Sequence, residues 1–214
     1  MAASSLALER EQLVQLFGWL AAFIMLLAIF LQHWLVEERK EGLLSRIRGC
    51  SSKPVLYVLG SSLPMLLFLI LELGLSLLVI HWQTQQTDYL GVSLLTNALL
   101  LSLLFIYTLF CFCFALALAL MVRTNAQLQG LGVTVVLLTS IFGGAFVPLK
   151  EWTAGLHSLA LFTPQEWLLR GIRAGLSGAT TWSNISPSLA VLTILLLCAF
   201  FLAMWRWQRL DASA

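Results

Sequence analysis

The chain has 214 residues, 60% of them hydrophobic and 10% charged, with a formal net charge of +2 and a mean hydropathy of +0.92. Soluble domains carry roughly 45 to 50% apolar and about 25% charged residues, so the composition excludes a soluble globular protein and indicates an integral membrane protein. The small charge, with basic residues scattered over loops and not striped along one helix, argues against a nucleic-acid partner.

A bilayer core of about 30 Å requires about 20 apolar residues per helix. Five runs qualify, roughly 13–35, 55–81, 90–122, 128–148 and 187–205. The N-terminus lacks the basic region and small-residue cleavage site of a signal peptide, so the first run reads as a retained span. Three of the four cysteines, Cys111, Cys113 and Cys198, fall inside apolar runs and none forms a CxxC; they read as small apolar residues.

After the first run comes "VEERKEGLLSRIRG". Leu43, Leu44 and Ile47 stand at helical spacing with charges between them, which predicts a short amphipathic helix. Its apolar face either lies on the membrane, with Arg46 and Arg48 at lipid phosphates, or docks on a cytoplasmic protein. The same connection holds Arg39, Lys40, Arg46, Arg48 and Lys53, whereas the next, "HWQTQQTDYL", has no basic residue. With Arg123, Arg206 and Arg209, one face collects eight of the twelve basic residues, and positively charged loops stay cytoplasmic. The N-terminus is therefore expected outside and the C-terminus inside.

Glu72 is the only acid in the middle of a predicted span. A central charge costs on the order of 2.5 to 3.5 kcal/mol on insertion scales, so it faces either a cavity or a hydrogen-bonded interior. In the following run Asn97, Ser102, Tyr107 and Thr108 make a broken polar lining, suited to a substrate path or to bonds between helices. The fourth run ends in "FGGAFVPLKEW". Gly143, Gly144 and Pro148 let the chain leave its helix before clearing the bilayer, which requires cover from protein or a water-filled cavity. The apolar stretch 153–163 is too short to span. Thr163 and Pro164 then read as a turn followed by a proline at the first helical position, with Glu166 in the first turn. A re-entrant or interfacial helical hairpin over 149–178 fits this pattern, the other reading being an ordinary loop with two surface helices.

Several chemistries are excluded. The only lysines are Lys40, Lys53 and Lys150, and none follows a glycine, so there is no P-loop. Gly175 to Gly178 has the Gly-x-Ser-Gly form of rhomboid-like proteases, yet His33, His81 and His157 all precede Ser177. No HExxH occurs, and the three histidines are far apart in the chain, so no metal site is expected. The sequon at Asn184 reads as chance.

Two motifs carry a family resemblance. Glu37, Glu38, Arg39, Glu41, Gly42, Leu44, Arg46 and Gly49 resemble the segment of ABC-2 type exporter permeases that contacts the ATP-binding subunit. Gly143, Gly144, Pro148 and Trp152, followed by Pro164, Trp167 and Arg170, resemble the external exit of the penultimate span in the same family. The resemblance covers about residues 13–208 and matches the C-terminal five-span portion of a six-span permease.

The resemblance implies one domain over 1–214, an all-α polytopic transmembrane bundle of five spans with a cytoplasmic coupling helix at 37–49 and an external hairpin. Coupling to the ATPase would fall to Glu37, Glu38, Glu41, Gly42, Leu44 and Arg46, and Glu72 and Asn97 are the candidate path residues. The expected function is that of an exporter permease subunit without enzymatic activity or a bound cofactor. ATP and Mg would belong to a cytoplasmic ABC ATPase. A second permease half, identical or not, and membrane lipids are the other expected partners, in a bacterial inner membrane. The competing classes are a non-transporting assembly or sensor subunit and an intramembrane enzyme.

Overall fold

A computed structural model describes residues 2–40, 67, 70, 71, 74, 94–146, 158–176 and 182–212, with side chains described for 11–40, 98–146, 158–176, 182–209 and those four isolated positions. Among the described residues the elements are α1 (Ala2–Leu31), α2 (His33–Lys40), α3 (Leu94–Met121), α4 (Asn125–Phe142), α5 (Pro164–Leu176) and α6 (Trp182–Ala212), with no strand. The all-α polytopic fold expected from the sequence is what is observed. Four helical stretches are long and apolar enough to cross a membrane: Glu11–Lys40, Ala98–Met121, Asn125–Phe142 and Trp182–Arg209. The predicted second span lies outside the described residues except for Leu67, Ile70, Leu71 and Gly74, which are helical and exposed.

Each helix boundary has a local cause. The α1–α2 junction is a tight turn in which the Gln32 amide reaches the Ile29 carbonyl and the Leu35 amide reaches the Gln32 carbonyl, both at 3.2 Å. The α3–α4 turn ends at Thr124, whose extended backbone lets its hydroxyl accept from the Gln127 amide at 3.2 Å, an N-cap. Helix α6 contains Pro187, which has no N–H to offer the Ser183 carbonyl. The Ser186 hydroxyl donates to that carbonyl instead, at 3.4 Å.

The core runs through the middle of the bundle. Met25 and Ile29 of α1, Leu103, Leu104 and Tyr107 of α3, Leu128 of α4, Leu168, Leu169 and Ile172 of α5, and Ile185 and Leu192 of α6 are fully buried. Alanines at 21, 28, 115, 117, 119 and 203 are buried among them. Small residues suit a membrane bundle, where helix association depends on close packing because lipid is as apolar as leucine. Leu16, Phe23, Leu131, Leu138, Phe200 and Phe201 point outward, an apolar girdle that lipid would cover.

Helix α5 decides the architecture. Its 13 residues rise only about 20 Å at 1.5 Å per residue, short of a span, yet it packs against α1, α3, α4 and α6. Gln165 at its start touches Met25 and Thr139, whereas Gly175 near its end faces Leu100, close to the start of α3. It is a short helix seated among four others, with its first residues against α1 and α4 and its last against α3.

Candidate functional site

The site begins where α4 stops. Gly143 is its C-cap, and Gly144 follows with φ of 72°, a conformation that glycine adopts without penalty. The Gly144 amide bonds the Ile141 carbonyl at 3.2 Å and the Ala145 amide bonds the Ser140 carbonyl at 2.9 Å. This is a Schellman motif, and it satisfies carbonyls that a helix end leaves open. Helix α1 holds the exit in place. Gln15 donates its side-chain amide to the Ala145 carbonyl, and Trp19 meets Phe146 edge to face at 6.2 Å between centroids.

The start of α5 docks against this exit. Thr163 turns the chain, its amide and hydroxyl reaching the Ala160 carbonyl at 2.9 and 2.7 Å, and Pro164 opens α5 at the position where its missing N–H costs nothing. Gln165 is fully buried. Its Nε2 donates to Thr139 Oγ1 at 3.0 Å, and that hydroxyl donates in turn to the Val135 carbonyl at 2.8 Å. The contact is close because residue 143 has no side chain: a Cβ there would stand 2.6 Å from the Thr139 carbonyl oxygen and 2.7 Å from Gln165 Cβ. Among the described residues, Gln165 Oε1 and Ser140 Oγ are buried without a hydrogen-bond partner.

Glu166 supplies the charge. Its side chain is 3% exposed and is paired with Arg173 at 3.3 Å and Arg170 at 3.5 Å, whose side chains are 40% and 43% exposed. The three stand at i, i+4 and i+7, one face of the helix. The Arg170 guanidinium also lies 4.9 Å from the Trp167 ring centroid, and Trp167 Nε1 donates to the Leu161 carbonyl at 2.7 Å. Just before α5, Leu159, Leu161 and Phe162 are exposed. This stretch thus combines a buried carboxylate, two half-exposed cations and an exposed apolar approach.

The opposite end of the bundle is organised by two arginines. Arg39 of α2 donates from Nη1 to the carbonyls of Ala119 and Val122 at 3.0 and 3.4 Å, and Arg206 of α6 donates from Nε to the Leu120 carbonyl at 3.4 Å. Both cations therefore sit at the C-terminus of α3, the negative end of its dipole. Beside them Asn125, first residue of α4, donates to Glu37 Oε1 at 2.9 Å, so α2 is tied to both helices of the α3–α4 turn. Among the described residues no cluster of side chains could hold a metal ion.

The family model of the ABC-2 type transporter matches residues 3–177, from the start of α1 through the end of α5. The chain belongs to the ABC-2 type transporter family. No curated protein matches the chain. As an ABC-2 family member it is a permease-type transport component, and its apolar helices are those of an integral membrane protein.

Of the residues singled out through the ABC-2 resemblance, the structure describes Glu37, Glu38 and Arg39 on α2, and Gly143, Gly144, Pro164, Trp167 and Arg170 at the α4 exit and on α5. Glu41, Gly42, Leu44, Arg46, Glu72, Pro148 and Trp152 lie outside the described residues, as does the side chain of Asn97. The other polar residues of α3 are spent within the protein. Tyr107 donates to the Ala21 carbonyl at 3.0 Å, Thr108 to Leu104 at 2.9 Å and Ser102 to Leu99 at 2.7 Å. Sequence reasoning missed Gln165, Thr139 and the pairing of Arg39 with Arg206. The Glu166, Arg170 and Arg173 triad was visible in principle, as one acid followed by bases at helical spacing.

Proposed function

We propose that the chain is the permease subunit of an ATP-binding cassette exporter, paired with a second permease half and driven by a separate cytoplasmic ATPase. In this reading α2 and the segment through Arg46 face the ATPase, the N-terminus is outside, and the α4 exit and α5 lie on the external side. The observation that carries the reading is the ABC-2 match over 3–177. The basic residues gathered at the Arg39 end support the topology, since positively charged loops stay cytoplasmic.

The mechanism follows from the connections at each end. Closure of the ATPase dimer pushes on the coupling segment, and α2 passes the displacement to α3 through Arg39 and to α4 through Glu37 and Asn125. Helix α4 carries it to the Gly143 exit, where Gln165 joins it to α5. That helix closes the external side when the path opens inward, so that access alternates. Hydrolysis of ATP with Mg belongs to the partner.

Co-purification tests the proposal. An ATPase that comes down with this chain, and whose turnover rises with it, is the expected result. Charge reversal at Glu41 and Arg46 should leave insertion intact while uncoupling hydrolysis from transport. Transport that continues unchanged in those variants would remove the coupling role, and an ATPase that binds without stimulated turnover would point to an assembly subunit instead.

A further inference from the structure

Arg39 and Arg206 both reach carbonyls of residues 119 to 122, so two like charges are held at one end of α3. Arg39 uses one nitrogen on two carbonyls and Arg206 one nitrogen on a third. Among the described residues neither forms an ion pair; those pairs are made by Arg170 and Arg173, at the other end of the bundle. Among the described residues, Arg39 Nε and Nη2 and both Nη atoms of Arg206 meet no acceptor. Two fixed cations with unspent planar donors match a phosphate, which accepts from guanidinium groups in pairs.

The surroundings fix the depth of the site. Arg39 and Arg206 each come near the end of a helix apolar enough to cross the membrane. Trp205 on the same turn as Arg206 is half-exposed under the Arg209 guanidinium, 4.1 Å from its centroid, and Trp207 packs on the core. Tryptophans of this kind mark the headgroup level of a bilayer. Lys40 and Arg123 are exposed at the same end. Basic pockets between helices at that level suit anionic lipid headgroups.

We propose that Arg39 and Arg206 bind the phosphate of an anionic phospholipid at the end of α3. The lipid phosphate balances the two like charges and joins α2, α3 and α6 through one group. Only a membrane-spanning chain is required, so the inference stands apart from the transport reading.

The test is a titration of the full purified chain with phosphatidylglycerol and with phosphatidylcholine, followed by native mass spectrometry of the lipid-bound fraction. Wild type should prefer phosphatidylglycerol. Arg206→Gln should weaken that binding by about tenfold, the loss of one charge-assisted hydrogen bond. Arg39→Lys, which keeps the charge but not the fork, should fall between. Arg209→Gln removes the same charge from the same helix and should leave the preference near wild type. Helix content by circular dichroism identifies variants that fold. Folded Arg206→Gln and Arg39→Lys chains that bind phosphatidylglycerol as wild type does would overturn the proposal. Displacement of the lipid by inorganic phosphate would overturn the lipid assignment in favour of a free anion. Loss of a co-purifying ATPase from these variants with lipid binding intact would assign the pair to a protein contact instead.

Discussion

Glu166 and Arg173, seven residues apart on α5, meet at 3.3 Å with the carboxylate almost fully buried and the guanidinium 40% exposed. The asymmetry of exposure sets the asymmetry of the response to mutation. Glu166→Gln leaves two arginines that water can still reach, and should cost about 1 to 3 kcal/mol. Arg170→Ala with Arg173→Ala strands a buried carboxylate, and should cost about 3 to 5 kcal/mol. Thermal unfolding in detergent should therefore rank the arginine double variant below Glu166→Gln, and the reverse order would refute the assignment.

Gly143 and Gly130 belong to the same helix region but predict opposite outcomes. A Cβ at 143 would press on the Thr139 carbonyl, Gln165 Cβ and Thr163 Oγ1 at 2.6, 2.7 and 2.9 Å, whereas one at 130 meets nothing within 4 Å. Gly143→Ala should destabilise by about 1 to 3 kcal/mol, as overpacking does. Gly130→Ala should be neutral or stabilise by up to about 1 kcal/mol, since alanine is the better helix former. Thermal unfolding in detergent should shift downward only in the first variant.

Tyr107→Phe removes the hydroxyl that reaches across to the Ala21 carbonyl. Bonds between helices in membranes are worth about 0.6 kcal/mol on average and the ring stays in place. A small drop in melting temperature with unchanged transport is the expected result. A transport defect out of proportion to that drop would place Tyr107 on the substrate path.

Gln165→Leu tests the buried amide. The change forfeits the bond to Thr139 but removes Oε1, which is buried without a partner among the described residues. Loss of a hydrogen bond and relief of a buried unsatisfied acceptor are each worth about 1 kcal/mol or somewhat more, so stability should change by less than about 1 kcal/mol. Under the proposed mechanism, transport should fall sharply. A variant that transports normally would show that the contact between Gln165 and α4 is only packing.

The fold was largely legible because its causes are local. Apolar runs announce spans, Gly143 with Gly144 announces a helix end, and Pro164 announces a helix start. The predicted end of the fourth span at residue 148 overshot α4, which stops at Phe142. Hydropathy continues through Ala145, Phe146 and Val147, so the end is marked by the Gly143–Gly144 pair and the Schellman bonds it allows, not by polarity. The site was less legible because its partners are distant in the chain and often main-chain atoms. No spacing rule connects Gln165 with Met25 and Thr139, and nothing in the identity of Ala119 or Leu120 announces that their carbonyls receive Arg39 and Arg206.

The position of α5 has a consequence for how the protein is made. Spans enter the bilayer as independent helices and then assemble, but a helix of 13 residues with Glu166, Arg170 and Arg173 on it is too short and too polar to enter alone. Its seat is formed by α1, α3 and α4, which emerge from the ribosome before it, and by α6, which emerges after. The helix therefore has to settle among its neighbours during assembly, with Gly171 against Leu103 and Ser188, where a Cβ would stand 2.5 and 3.2 Å from their side chains. A defect there would leave every span inserted and the subunit still unfinished, a fault for quality control after the translocon has let go.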